Sequence, residues 1–179
     1  MIYAIATVLT VVIVALDQLT KNFIIENTAL YCKFSEIPGF INIIYVQNTG
    51  GAWGFMGNNT WLLVAITVLI MIICFAMLVK YGLHSKMFFF SIVLVLSGGI
   101  GNLIDRIFRG FVIDFIQFAF WTEFPVFNIA DIAVCVGVGL LLLYFALDIL
   151  KDIKAKKAIT DINKIISEDS NKNLGTDEN

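Results

Sequence analysis

Histidine is nearly missing from this chain of 179 residues; His84 is the only one. Three cysteines, Cys32, Cys74 and Cys135, stand in unrelated settings with no CxxC or Cys/His spacing. These absences remove zinc sites of the usual Cys/His kind and any Ser/His or Cys/His nucleophile pair. Cys32 does not look like a lipidation site, because Ala29-Leu30-Tyr31 lacks a small residue just before it. Charge is scarce too. Only 15% of residues are charged, and a net charge of −2 offers nothing to nucleic acid. No internal repeat and no linker to a second domain is visible.

What fills the chain instead is apolar: 59% of residues are hydrophobic and mean hydropathy is +0.89. A soluble domain carries roughly 45–50% apolar and about 25% charged residues. The excess is gathered into long uncharged runs, the mark of an integral membrane protein. Four segments meet the length needed to span, at about residues 2–25, 61–79, 87–104 and 124–147. The first has no Lys or Arg before its apolar run and no small-residue cleavage site after it, so it is read as a retained helix.

Orientation follows from the cations. Lys80 and Lys86 sit in a short loop, and Lys151, Lys154, Lys156, Lys157 and Lys164 in the tail, against Lys21, Lys33, Arg106 and Arg109 on the opposite side. Both termini are therefore expected in the cytoplasm, with residues 26–60 and 105–123 outside. Residues 1–150 read as a single polytopic domain. Residues 151–179 read as a cytoplasmic tail, partly disordered, since SEDSNKNLGTDEN has too little apolar content to pack.

The outer connections carry pattern. FINIIYVQ, 40–47, is β-branched and aromatic and follows Pro38-Gly39, which predicts a strand. NTGGAWGF, 48–55, supplies glycines for tight turns and aromatics for the membrane surface. FRGFVIDFIQFAFWTEF, 108–124, holds seven aromatics and reads as an interfacial segment between the third and fourth helices.

Polar residues gather toward the outer ends of the spans. Asp17 and Lys21 lie four apart, acid before base, and read as a structural pair holding the first helix. Gly98, Asn102, Asp105 and Arg106 share helical spacing on the third span, as do Asn128 and Asp131 on the fourth. Asp105 and Arg106 read as helix-end anchors. Asp131 is harder to assign to structure, because carboxylates within membranes mark function. Asp114 could reach it through the folded connection. Two such carboxylates share a proton and support aspartic-protease hydrolysis, with no covalent intermediate. The residue types alone equally allow a proton relay in a transporter, or a scaffold that binds a partner through its aromatic belt.

Four ordered motifs, DQLTK (17–21), NTGGAWGF (48–55), GGIGNLIDRIFRGFVIDFI (98–116) and FPVFNIADIAV (124–134), resemble the lipoprotein signal peptidases, or signal peptidase II. The resemblance covers about residues 10–148. It implies an all-α membrane protein with a small β element: four transmembrane helices plus an extracytoplasmic β-cradle at about 27–58. It implies cleavage of diacylglyceryl-modified prolipoproteins on the amino side of the lipidated cysteine, at the outer leaflet of the bacterial plasma membrane. By the same resemblance Asp114 and Asp131 are catalytic. Asp17, Lys21, Asn48, Gly50, Gly98, Asn102, Arg106, Asn128 and Ala130 are supporting positions, with the Asp17–Lys21 pair expected to fix the first helix against the cradle. Asn102, Arg106 and Asn128 would donate to substrate backbone or to an ionised aspartate, and Asn48 would hold the peptide from above. The expected partners are prolipoprotein substrates, membrane lipids and globomycin-like peptide inhibitors, acting on a monomer with no cofactor and no metal. One departure is Gly51, where many members carry alanine.

Overall fold

The computed structural model describes residues 2–51 and 59–174. Trp53 and Phe55, expected at the membrane surface, lie outside the described residues, as does the end of the expected cradle. The elements run α1 (Ile2–Asn27), β1 (Lys33–Ile37), β2 (Ile41–Asn48), α2 (Thr60–Tyr81), a 3₁₀ turn at Gly82–His84, α3 (Lys86–Arg109), β3 (Val112–Phe118) and α4 (Ile129–Leu174). Among the described residues, four helices are long and apolar enough to cross a membrane.

The helices differ in what surrounds them. α2 is apolar on every side, buries only Leu78 and exposes Trp61, Leu69, Phe75 and Val79. With no water-facing stripe, such a helix suits hydrocarbon. α3 is the central one: Phe89, Ile92, Ser97, Gly98, Gly101 and Asp105 are all buried. Its small residues let neighbours approach closely. A Cβ at Gly98 would meet Val134 Cγ2 at 2.7 Å and the Ala130 carbonyl oxygen closer still. A Cβ at Gly101 would meet Asp17 Oδ2 at 2.6 Å. Gly98→Ala is therefore expected to cost about 1–3 kcal/mol by overpacking. Thermal unfolding in detergent checks this, with Gly139→Ala, where nothing lies within 4 Å, as the control expected to change little.

The three strands form one antiparallel sheet in the order β1-β2-β3. The Pro38-Gly39 signal is a turn from Ile37 to Phe40, closed by Phe40 N–H to the Ile37 carbonyl at 3.0 Å, with Gly39 at φ 72. Proline then glycine at positive φ is the type II pattern. Ile24 of α1 packs with Tyr45, Ile113 and Phe115, seating the sheet on the C-terminal end of the first helix.

Two expectations change here. Residues 112–118, read only as part of an aromatic interfacial segment, are a strand paired with β2 from Ile41↔Phe118 to Asn48↔Val112. VIDFIQF buries Val112 to Phe115 in succession, as a short strand covered on both faces does, and the edge of β2 supplies its partner. The fourth helix starts at Ile129, not near Phe124, because Phe127 bridges back to Ile116 and Asn128 caps the helix. α3 ends at Gly110, whose φ of 81 is left-handed and whose N–H reaches the Arg106 carbonyl. From Leu142 onward the chain forms its own compact unit, helical to Leu174 and exposing Ile149, Ile153 and Ile159.

Candidate active site

The site is built in two tiers, beginning with a buried ion cluster. Lys21 is fully buried. An ammonium has three protons, and Lys21 has three acceptors: Asp17 Oδ2 at 2.8 Å, Asp105 Oδ2 at 2.9 Å and Asn102 Oδ1 at 3.1 Å. Asp17 Oδ1 accepts from Ala130 N–H at 3.0 Å, satisfying a first-turn donor of α4. Asp105 also accepts from Arg109, from Gln18 Nε2 and from Ile113 N–H. Two acids and two cations thus balance within one cluster.

This corrects the expected role of Asp17 and Lys21. The pair holds α1 against α3 and the start of α4, not against the sheet. Asp105, read as a helix-end anchor, is instead a fully buried hub. The signal was available: Asp105 and Arg109 repeat the acid-before-base spacing of Asp17 and Lys21.

Above the cluster sit the two carboxylates. Asp114, 2% exposed, accepts from Asn48 Nδ2 at 2.9 Å on one oxygen and from Asn128 Nδ2 at 2.7 Å on the other. Asp131 accepts from Asn102 Nδ2 at 2.7 Å and from Asn128 backbone N–H at 3.1 Å. Asn128 Oδ1 accepts in return from Asp131 N–H at 2.9 Å. The N-x-A-D run is thus a capping box, with aspartate in the place that glutamate or glutamine usually takes. Asn128 touches both carboxyl groups at once.

Each amide is locked in direction by a group that can only donate. Lys21 holds Asn102 Oδ1, Asp131 N–H holds Asn128 Oδ1, and Gly50 N–H holds Asn48 Oδ1 at 2.9 Å. Flipping any of the three would set donor against donor. Arg106 Nη2 donates to the Gly50 carbonyl at 3.1 Å, bracing the turn that carries Asn48. Asn102, Asn128 and Asn48 each direct a donor at an aspartate, Asn128 Nδ2 also reaching Asn102 Oδ1 at 3.0 Å and the Ile113 carbonyl at 3.3 Å, and Arg106 donates to the turn. Gly98 and Ala130 act through packing, away from the cavity lining.

Burial and the facing Asp131 carboxylate push the Asp114 carboxyl up to about 7 from 3.8, against the pull of its two amide donors and Lys21. Between those values the folded chain binds more protons than the unfolded one. Stability is then full at acid pH and falls as pH rises from about 4 through about 7. Tm measured across that window should decline in the wild type and decline less in Asp114→Asn. A Tm that climbs over the window would contradict the assignment.

Both carboxylates open onto one cavity of about 430 Å³, together with Asn48, Asn102 and Arg106. Its other walls are apolar: Phe118, the 124–127 run, and Ile132, Cys135 and Val136 along α4. Among the described residues, no group of three His, Cys, Asp or Glu side chains is placed to hold a metal ion.

Among the described residues, four helices long and apolar enough to cross a membrane, a small antiparallel sheet and two buried carboxylates on one cavity define a polytopic membrane protein with an acidic site. Comparison with known proteins makes the class specific. The family model for signal peptidase (SPase) II matches residues 9–147. Lipoprotein signal peptidases of Listeria welshimeri, Bacillus pumilus and Symbiobacterium thermophilum are 38%, 39% and 41% identical over 142 residues. Those matches cover 78–79% of this chain and 92–93% of each relative. A bacterial membrane enzyme solved by the in meso method superposes with TM-score 0.77 at 32% identity, over 81% of this chain and 89% of that one. A second such structure gives 0.73 at 32%, over 79% and 92%. The chain belongs to the signal peptidase II family, and it is a multi-pass bacterial membrane peptidase.

Proposed function

We propose that this chain is an intramembrane aspartic endopeptidase that removes the signal peptide from diacylglyceryl-modified prolipoproteins, cutting on the amino side of the lipidated cysteine. The observation that carries this reading is the joining of Asp114 and Asp131 through Asn128 at the wall of one cavity. Two carboxyl groups this close in a low dielectric hold one proton between them. The singly protonated pair carries −1, which Arg106 on the same cavity offsets, while the Lys21 cluster is already neutral.

In that state the ionised carboxylate takes a proton from water as the water oxygen attacks the scissile carbonyl. The protonated partner donates to the carbonyl oxygen. The tetrahedral diol then collapses: one hydroxyl returns its proton to the second carboxylate, the C–N bond breaks, and the proton held by the base passes to the leaving amine. The products are a carboxylic acid on the signal peptide and a free amine on the lipidated cysteine. Asp114 must keep its proton, so kcat/KM should fall as pH rises through about 7.

Asp17, Lys21, Asn102 and Asn128 position the pair. Asn48, Gly50 and Arg106 hold the overlying turn, and Gly98 and Ala130 let α3 and α4 close up. The Lys distribution supports cytoplasmic termini with the cavity toward the outer leaflet. The working residues all fall before Leu142, where the second compact unit begins, and residues 151–179 form a cytoplasmic tail. All the named groups come from one chain, so a monomer suffices. Globomycin-like peptides are expected to compete for the cavity, and lipid to fill the exposed helix faces. The test is incubation of purified protein with a diacylglyceryl-prolipoprotein, followed by mass measurement of both fragments. Intact substrate, or a cut elsewhere, would refute the reading.

A further inference from the structure

The cleft has a second lobe. An outer cavity of about 410 Å³ shares Asn48, Gly51, Asp114 and residues 124–126 with the cavity described above. The two therefore meet at Asp114. The inner lobe continues along α4 past Ile132, Cys135 and Val136. The outer one is lined instead by Gln47, Thr49, Thr122 and Glu123. Among the described residues lining this outer lobe, the charged ones are Asp114 and Glu123, both acids.

The chemistry of a lipidated precursor sorts itself between these lobes. The signal segment and the acyl chains need apolar surroundings. The mature chain is polar and must leave toward water, and it begins at the bond held by Asp114. We infer, resting on the peptidase reading above, that the outer lobe seats the first residues of the mature chain and that Glu123 favours a cationic residue there over an acidic one. Glu123 is solvent-exposed on the 119–128 connection, so its preference is modest and weakens with salt.

Three prolipoproteins identical except for the two residues after the modified cysteine test this: Lys-Lys, Gln-Gln and Glu-Glu. At low salt the wild type should cut the Lys-Lys substrate with kcat/KM about five-fold above the Glu-Glu one. Glu123→Gln should abolish that ratio and Glu123→Lys should invert it. All three proteins should cut Gln-Gln alike, which reports intact folding. Equal cutting of all three substrates by the wild type overturns the inference alone, as does a ratio that survives in Glu123→Gln. Failure of the wild type to cut any of them overturns the peptidase reading and this inference with it.

Discussion

Replacing Asp114 or Asp131 by asparagine is expected to slow cleavage of a diacylglyceryl-prolipoprotein by about 10³-fold, the size of a lost acid–base step. Folding should survive both changes. Each carboxyl oxygen accepts one hydrogen bond: from Asn48 and Asn128 at Asp114, and from Asn102 and the Asn128 backbone at Asp131. An asparagine keeps one of these and turns its NH₂ toward the other donor, at about 1–3 kcal/mol. Removing a buried, mutually repelling charge offsets part of that cost. Tm should therefore move by only a few degrees, while the rate collapses. Cleavage at the wild-type rate by either variant would exclude the paired mechanism.

Lys21→Met should cost about 3–5 kcal/mol, because it leaves Asp17 and Asp105 short of their shared cation in a fully buried site. It should also depress cleavage, although Lys21 does not line the cavity. The route is Asn102: without the ammonium its Oδ1 keeps only the Asn128 Nδ2 donor at 3.0 Å, so its own donor to Asp131 is held less firmly. The double variant Asp17→Asn/Lys21→Met separates the two effects. It leaves Asp105 balanced by Arg109, and the neutral amide introduced in place of the Asp17 carboxylate can still accept from Ala130 N–H. Much of the stability should therefore return. The cleavage rate should not. If the rate returns with the stability, Lys21 serves folding only. Unfolding curves and initial rates on the same preparations read both quantities.

Much of this architecture was legible beforehand, for reasons that can be named. The spans stand out because length and lack of charge are local properties. Asp17 with Lys21, and Asn128 with Asp131, stand at helical spacings that a reader can count. Other features were hidden. The aromatic run 108–124 suits an interfacial belt and a strand equally well, and pairing with β2 decides between them. Asp105 looked like a helix terminus because its partners Lys21 and Gln18 belong to α1. Arg106 lines the cavity as well as donating to a turn carbonyl 56 positions away, a partner that no local spacing suggests.

The sequence by itself determined that this is a membrane protein with four apolar spans, and where along the chain its few charges fall. Hydrocarbon thickness and the cost of burying charge act on each segment separately, so the segment alone carries the answer. Only the tertiary structure decided which polar groups meet. Asp17 reaches Ala130 across 113 positions, and Asn48 reaches Asp114 across 66. Buried charges and amides take whichever partners packing brings within about 3 Å, and that selection depends on every helix at once.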